Sequence, residues 1–318
     1  MKLEPLYLKD VAARTGFDAY NLEKVLRLKE LLREFRRHPF LRDKLVLKGG
    51  TGINVFLLRL PRLSVDLDLN YTGQIERVRM QAERPEVERA VEQITLGLGY
   101  GMHAGKSDWA LREFHLNFKN HAGRGDHLQV ELNFLMRVCA LPPQSLKAAR
   151  LADEPPCEFP VLAPEELMAG KLKALIERKH PRDFYDLYRF LQVRVNYDRP
   201  LLKKLTVLFA STLPHDLRTY TMERYQRASR AEVEKLLYPL LRSDDRPTAE
   251  DLTAAVRPLL AGVLGYRKGK PYLDAIARGK YQPELLLSDR PEIVQRIARH
   301  PAMLWKAANV AEHLSRNA

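Results

Sequence analysis

KGGTGINVFLLRLPRLSVDLDLNY, residues 48–71, combines two features that ordinary packing does not favour. Two glycines follow the apolar run 45–47, a pattern typical of a short strand that ends in a tight turn. After an apolar helical segment ended by Pro61, apolar and polar residues alternate from Leu63 to Tyr71, as in a half-buried strand. The sequence therefore predicts a strand, a turn, a short helix and a second strand.

The second of these strands carries Asp66 and Asp68 on one face, because residues two apart on a strand point the same way. Two carboxylates that close repel each other unless they are solvated or a cation lies between them. Oxygen ligands in this arrangement suit Mg²⁺ or Mn²⁺, which usually keep positions for phosphate oxygens. The pair predicts a metal site, and a solvated strand face is the alternative.

The glycine pair fits the same chemistry. Gly49 and Gly50 allow the backbone to approach a large anion, and Thr51 opens a helix whose first amides have no partner within it. The three residues predict a phosphate cradle, although a plain turn also explains a glycine pair. An NTP with its divalent ion would satisfy both elements at once.

A third carboxylate, Glu131, lies in the predicted strand 127–137. The apolar residues of LQVELNF face one way, which leaves Glu131 on the other face. If this strand pairs in register with the aspartate strand, Glu131 completes the acidic site. Because sequence does not fix register, an exposed strand glutamate is the alternative.

The segment 164–190, PEELMAGKLKALIERKHPRDFYDLYRF, predicts two helices separated at His180 and Pro181. Lys171 on the first helix would neutralise the triphosphate charge that builds as pyrophosphate leaves. Asp183 and Asp186 share one face of the second helix. A solvated Lys171 is the alternative, with Arg178 pairing with either aspartate.

Chain organisation predicts two domains. Residues 1–160 form a mixed α/β half and residues 161–318 an all-helical half, joined through a proline-rich segment, 141–164, with little expected regular structure. The expected fold class is thus α+β, a mixed sheet with flanking helices followed by a helical domain.

The charge balance favours polyanionic partners. The chain carries 53 Lys and Arg against 40 Asp and Glu, a formal net charge of +13. The basic segment YRKGKPY, 266–272, predicts either a patch that binds the acceptor's phosphates or a solvated loop. The sequence has two cysteines without metal-ligand spacing, no long apolar run and no apolar leader. These features predict a cytoplasmic protein without membrane contact.

These motifs resemble the AbiEii/AbiGii-type nucleotidyltransferase toxins of bacterial toxin–antitoxin systems, relatives of the MenT toxins in the DNA polymerase beta-like superfamily. KGGT, RLSVDLDL, EELMAGKLKAL and RKHPRDFYDLY carry the resemblance, over about residues 40–190. The positions that match the family motifs are Gly50, Thr51, Ser64, Asp66, Asp68, Lys171, Arg182, Asp183 and Asp186. Threonine at position 51 replaces the commoner serine and keeps the hydroxyl.

The resemblance implies a polymerase beta-like core and Mg²⁺-dependent transfer of a nucleoside monophosphate from NTP to an acceptor. It implies an RNA acceptor, the 3′ end of tRNA in characterised relatives, a block of translation and a cognate antitoxin. It also implies that Ser64, Arg182, Asp183 and Asp186 help to bind the nucleotide. Two other functions stay open: transfer to a small molecule of the antibiotic type, and a non-catalytic protein that binds nucleotide or RNA.

Overall fold

The computed structural model describes residues 5–151, 153–225 and 228–316 of the chain. They form two units. The first contains Met1–Arg137, Pro143–Leu162 and Glu234–Arg246, and the second contains Val138–Pro142, Ala163–Val233 and Pro247–Ala318. Residues 234–246 thus return to the first unit from within the helical half of the sequence.

The first unit is built on one mixed sheet. Its strands are β1 Leu45–Leu47, β2 Asp66–Tyr71, β3 Gly101–Ser107, β4 Leu111–Lys119, β5 Gly125–Asn133, β6 Gln144–Lys147 and β7 Glu158–Val161. Their spatial order is β3-β4-β5-β2-β1-β7-β6. β2 runs parallel to β5 and β1 runs parallel to β7, whereas the other neighbouring pairs are antiparallel.

Helices flank this sheet. They are α1 Pro5–Thr15, α2 Ala19–Arg37, α3 Gly49–Thr51, which continues as a π-helical segment Gly52–Leu57, and α4 Arg77–Gly97. Asp18 caps α2 by accepting a hydrogen bond from the Asn21 amide. α2 contacts α4 and β7, and α4 contacts β3.

Alternation along the central strands separates an apolar from a polar face. Leu67 and Leu69 of β2 and Val130 and Leu132 of β5 are fully buried, because side chains two apart lie on one face and strand partners share it. The intervening residues of both strands are polar. In these two strands the fully buried leucine and valine residues therefore lie on one face of the sheet, and Asp66, Asp68 and Glu131 lie on the other.

The second unit is helical in its described part. Its helices are α5 Pro164–Arg178, α6 Pro181–Gln192, α7 Arg199–Ala210, α8 Arg230–Leu236, which ends in the first unit, α9 Ala249–Leu264, α10 Lys270–Ala277, α11 Glu284–Leu287, α12 Pro291–Ile297 and α13 Pro301–Arg316. α5 packs on α6 and α7, and α9 packs on α6 and α7. Thr248 and Asp251 form a capping box at the start of α9.

The predicted fold class is confirmed, and several predicted bounds were wrong. β2 begins at Asp66 rather than Leu63, and the helix after the glycines ends at Leu57. The proline-rich segment contains β6 and β7, which we did not predict. None of the helices in the described residues has the length and apolar character needed to cross a membrane.

Candidate active site

The turn after β1 is shaped around the carboxylate of Asp68. The backbone of Lys48 is extended, and its amide donates to the Asp68 carbonyl oxygen at 2.9 Å. Gly49 then adopts a left-handed conformation with φ of 68°. A Cβ at this position would lie 2.8 Å from Asp68 Cγ and 2.9 Å from its Cβ. Gly49 is therefore required both by its backbone angle and by the space that Asp68 fills.

Gly50 and Thr51, the next two residues, hold the start of the helix against β2 and the residues just before it. The Thr51 hydroxyl donates to the Asp66 carbonyl oxygen at 2.5 Å and lies 3.0 Å from Ser64 Oγ. A Cβ on Gly50 would lie 2.8 Å from Ser64 Oγ and 3.0 Å from Arg62 Nη2. The predicted residues Gly49, Gly50, Thr51 and Ser64 are thus brought together at the start of the aspartate strand.

Strand register puts the predicted carboxylates on two neighbouring strands of the sheet. Asp68 is the direct partner of Glu131 across the parallel pair of β2 and β5, and Asp66 is the partner of Gln129. All three carboxylates are half-buried. The condition set by the sequence analysis, that the two strands be neighbours in register, is confirmed.

Lys48 is a site residue that the sequence analysis missed. Its Nζ lies 2.8 Å from Glu131 Oε1, and both side chains are about one-fifth exposed. The ammonium partly offsets the repulsion between Glu131 and Asp68. The signal in the sequence was a lysine at the end of a strand, directly before the glycine pair.

The donor set fits a hard divalent cation. Asp66 and Asp68 offer carboxylate oxygens from one strand face, and the Asp68 carboxylate occupies the space that a side chain at position 49 would take. Within the described residues, no group of three or more His, Cys, Asp or Glu side chains is arranged to hold a metal ion. A role for Glu131 as third ligand stays a prediction.

Arg62 is a second residue that the sequence analysis missed. It is only 2% exposed, and its Nη1 donates to the Leu63 carbonyl oxygen at 2.8 Å. Its guanidinium lies against Gly50, where it adds positive charge beside the proposed phosphate cradle. Arg62 is the first residue of the quoted motif RLSVDLDL, but nothing in its sequence neighbourhood assigned it a role.

In the second unit, Lys171 is buried in an ionic cluster. Its Nζ lies 2.8 Å from Asp183 Oδ1 and 2.9 Å from Asp186 Oδ2. Arg178 also binds Asp183, with its Nε 2.8 Å from Oδ2 and its Nη2 3.0 Å from Oδ1. The alternative of a solvated Lys171 was wrong, whereas pairing of Arg178 with an aspartate is confirmed.

The electrostatics of this cluster keep the Asp183 carboxylate ionised. Burial acts to raise the pKa of Asp183, but the charges of Lys171 and Arg178 outweigh it and hold that pKa well below its ordinary value. Asp183 and Asp186 are both 0% exposed, so in this structure they contact the lysine and present no surface to a nucleotide. They are placed to position Lys171.

Arg182 lies at the start of α6 and is half-buried. Its amide donates to Nδ1 of His180, the capping residue, at 3.1 Å. Burial and then the charge of Arg182 lower the pKa of His180 to about 4, so the ring is neutral at pH 7 and can accept this hydrogen bond. Nucleotide binding by Arg182 stays a prediction, as does a part in it for Asp183 and Asp186 through their contacts with Lys171.

Comparison with known proteins identifies the family. The family model described as nucleotidyl transferase AbiEii toxin, type IV toxin–antitoxin system, matches residues 30–277. The fold is similar to that of MenT4, a nucleotidyltransferase toxin from Mycobacterium tuberculosis H37Rv, with a TM-score of 0.61 and 19% identity over 94% of this chain and 99% of that chain.

A second solved structure is an H. pylori protein described as a nucleotidyltransferase. It gives a TM-score of 0.48 and 17% identity over 77% of this chain and 96% of that one. No curated protein sequence matches this chain.

Proposed function

The chain belongs to the AbiEii family of nucleotidyltransferase toxins, and from that premise we propose that it transfers a nucleoside monophosphate from an NTP to the 3′ end of an RNA, with tRNA as the acceptor, and so blocks translation. The observation that carries this proposal is the glycine turn closed on Asp68, next to Asp66 on the same strand face.

At the α-phosphorus the reaction forms one bond and breaks one. The acceptor hydroxyl oxygen bonds to the α-phosphorus of the NTP, the bond from that phosphorus to the bridging oxygen breaks, and pyrophosphate leaves. The hydroxyl proton passes to solvent. Because the phosphates carry most of the charge, binding and orientation are the main tasks of the protein.

The residues of the first unit would divide these tasks. Asp66 and Asp68 would hold Mg²⁺ or Mn²⁺, which when bound supplies positive charge at the phosphate oxygens. The amides after Gly49 would receive the polyphosphate, with the Arg62 guanidinium behind Gly50. Thr51 and Ser64 would keep this turn fixed to β2 through the contacts around the Thr51 hydroxyl.

Lys171, in the second unit, is the predicted source of a further positive charge in the reaction. Its two carboxylate partners are fully buried, which fixes the ammonium in one place. A lysine held in this way loses little conformational freedom when it binds a phosphate oxygen. Asp183 and Asp186 would then act as positioning residues in place of contacting the nucleotide themselves.

The charge of the chain supports RNA as the acceptor. A formal net charge of +13 attracts a polyanion and offers little to a neutral or cationic small molecule. The toxin–antitoxin family further supports a cognate antitoxin as partner and action in the cytoplasm.

Label transfer tests the proposal. Each of the four NTPs, labelled at the α-phosphorus, is incubated with the protein, total RNA and Mg²⁺. The expected result is label at RNA 3′ ends, removed by a 3′ exonuclease, with tRNA the main labelled species. Label on a small molecule, or no transfer with any NTP, would overturn the RNA assignment. The variant Asp68→Asn, which should transfer no label, controls for a contaminating enzyme.

A further inference from the structure

One stretch of the second unit has an unusual charge pattern. Residues 252–273 contain four Lys or Arg residues and no Asp or Glu. Three of the four lie together in a 3₁₀ turn, Arg267–Gly269, and at the first residue of α10. Arg267, Lys268 and Lys270 are all exposed, and we refer to these three residues as the basic turn.

The backbone of the basic turn is held in place by Gly269. This residue is buried, and a Cβ on it would lie 3.2 Å from Tyr266 Cδ1 and 3.2 Å from Val207 Cγ1. The turn therefore packs against Tyr266 and against α7. Because Gly269 faces inward, the three cations around it are directed to the solvent.

A fourth cation lies nearby on α7. Lys203 rests on the backbone of α9, where a Cβ on Gly262 would lie 3.2 Å from its Nζ. Lys203 and Val207 are four residues apart, which places them on one face of α7 and about 6 Å apart along the helix axis. Since Val207 contacts Gly269, Lys203 lies about one helical turn from the basic turn.

The basic turn differs from other cations of the same unit in its pairing. Arg218 binds Asp216 at 2.6 Å and Asp274 at 2.5 Å, and Lys204 pairs with Asp289. Across residues 5–151, 153–225 and 228–316, no carboxylate lies within salt-bridge distance of Arg267, Lys268 or Lys270. Their positive charge is therefore available to an anion from outside the chain.

We propose that the basic turn, together with Lys203, binds the phosphodiester backbone of the RNA acceptor. The proposal rests on the proposed function for its choice of RNA, and on charge complementarity for the surface itself. Contacts of Lys and Arg side chains with phosphates position a nucleic acid but carry no sequence information. The surface thus holds the acceptor independently of its sequence.

The test compares two triple variants with equal charge change. The first replaces the basic turn, as Arg267→Gln/Lys268→Gln/Lys270→Gln. The control replaces three other exposed arginines of the second unit, as Arg194→Gln/Arg299→Gln/Arg316→Gln. Binding of fluorescein-labelled total tRNA to the full chain is measured by anisotropy over a range of KCl concentrations.

The expected effect follows from counterion release. Loss of three phosphate contacts at a slope of about 0.7 each lowers the salt dependence of log K by about 2, and weakens binding about 50-fold near 0.15 M salt. The control variant should stay within about threefold of wild type. Equal affinity for both variants, whether both bind like wild type or both are weakened alike, would overturn the proposal.

Transfer assays separate this proposal from the proposed function. The basic-turn variant should show a raised KM for RNA, an unchanged KM for NTP and a retained kcat at saturating RNA. A lowered kcat with an unchanged KM for RNA would contradict a role in acceptor binding. If wild type transfers no label to RNA, the proposed function fails, and the difference in tRNA affinity between the two variants still decides the basic turn.

Discussion

Replacement of Gly49 by alanine separates the backbone requirement of the glycine turn from its contact with Asp68. Gly49 has a φ of 68°, and Gly99, in the same unit, has a φ of 85°. A Cβ at position 99 would meet nothing within 4 Å, whereas one at position 49 would lie 2.8 Å from Asp68 Cγ. Gly99→Ala is therefore a matched control that changes the backbone energy alone.

The two variants should lose similar stability but very different activity. A left-handed alanine costs about 1–2 kcal/mol, partly offset by about 0.4–1 kcal/mol from the smaller entropy of the unfolded chain. At position 49 the Asp68 side chain must also move by about 1 Å to restore a normal carbon contact distance. A displacement of that size at a reacting centre lowers the rate about 100-fold.

The assay combines unfolding and transfer. Urea unfolding should give each variant a loss of about 1 kcal/mol from the backbone, with a further loss of up to about 1 kcal/mol for Gly49→Ala if Asp68 leaves its preferred rotamer. Label transfer should fall about 100-fold for Gly49→Ala and stay within about twofold of wild type for Gly99→Ala. Equal transfer rates for the two variants would refute the role assigned to the contact between Gly49 and Asp68.

Three other substitutions have defined outcomes. Lys171→Ala should lower the free energy of unfolding by about 3–5 kcal/mol, because two buried carboxylates lose their ammonium partner. Urea denaturation should show a smaller loss for Arg178→Ala. Equal losses would argue against Lys171 as the main partner of the two carboxylates. Burial raises the pKa of Glu166 to about 7, so the folded protein binds a proton that the unfolded chain releases, and stability should fall by about 3 kcal/mol as the pH rises from about 4.5 to about 7. Thermal unfolding of Glu166→Gln across this pH range should not show this loss of stability. If its stability falls with pH as steeply as that of wild type, Glu166 is not the group that titrates. Lys48→Met should tighten Mn²⁺ binding to the nucleotide-free protein, measured by electron paramagnetic resonance, because Glu131 loses its 2.8 Å ammonium partner; unchanged binding would show that Glu131 is no ligand.

Local patterns predicted the elements that carry the candidate site. Alternation around Asp66 and Asp68 fixed which residues share a face, and the glycine pair marked the turn before them. Both features depend on residues close in sequence, where periodicity and backbone preference act directly. The helix break before α6 was equally local, because proline at position 181 favours the first turn of a helix.

Features that depend on distant partners were harder to predict. β7 is a four-residue strand that contains Pro160, and it forms because β1 offers it a parallel edge. The sequence did not show that Lys171 is buried, because its burial depends on two carboxylates that the next helix supplies. Sequence showed which charges share a face but not which of them meet.

The contact of Lys48 with Glu131 illustrates the same limit. The two residues are 83 positions apart, and only the parallel pairing of β2 and β5 brings Glu131 to the end of β1. Strand register is a property of the assembled sheet, and a shift of one residue would have turned Glu131 to the apolar face.

Transfer of α-labelled phosphate by Asp66→Asn, compared with wild type at equal protein and Mg²⁺ concentrations, measures whether the Asp66 carboxylate is essential for the reaction. Wild type is expected to label RNA 3′ ends and release pyrophosphate, while the asparagine variant keeps its unfolding midpoint and labels nothing above background. A folded Asp66→Asn protein that transfers label at the wild-type rate would show that the chemistry takes place elsewhere in the chain.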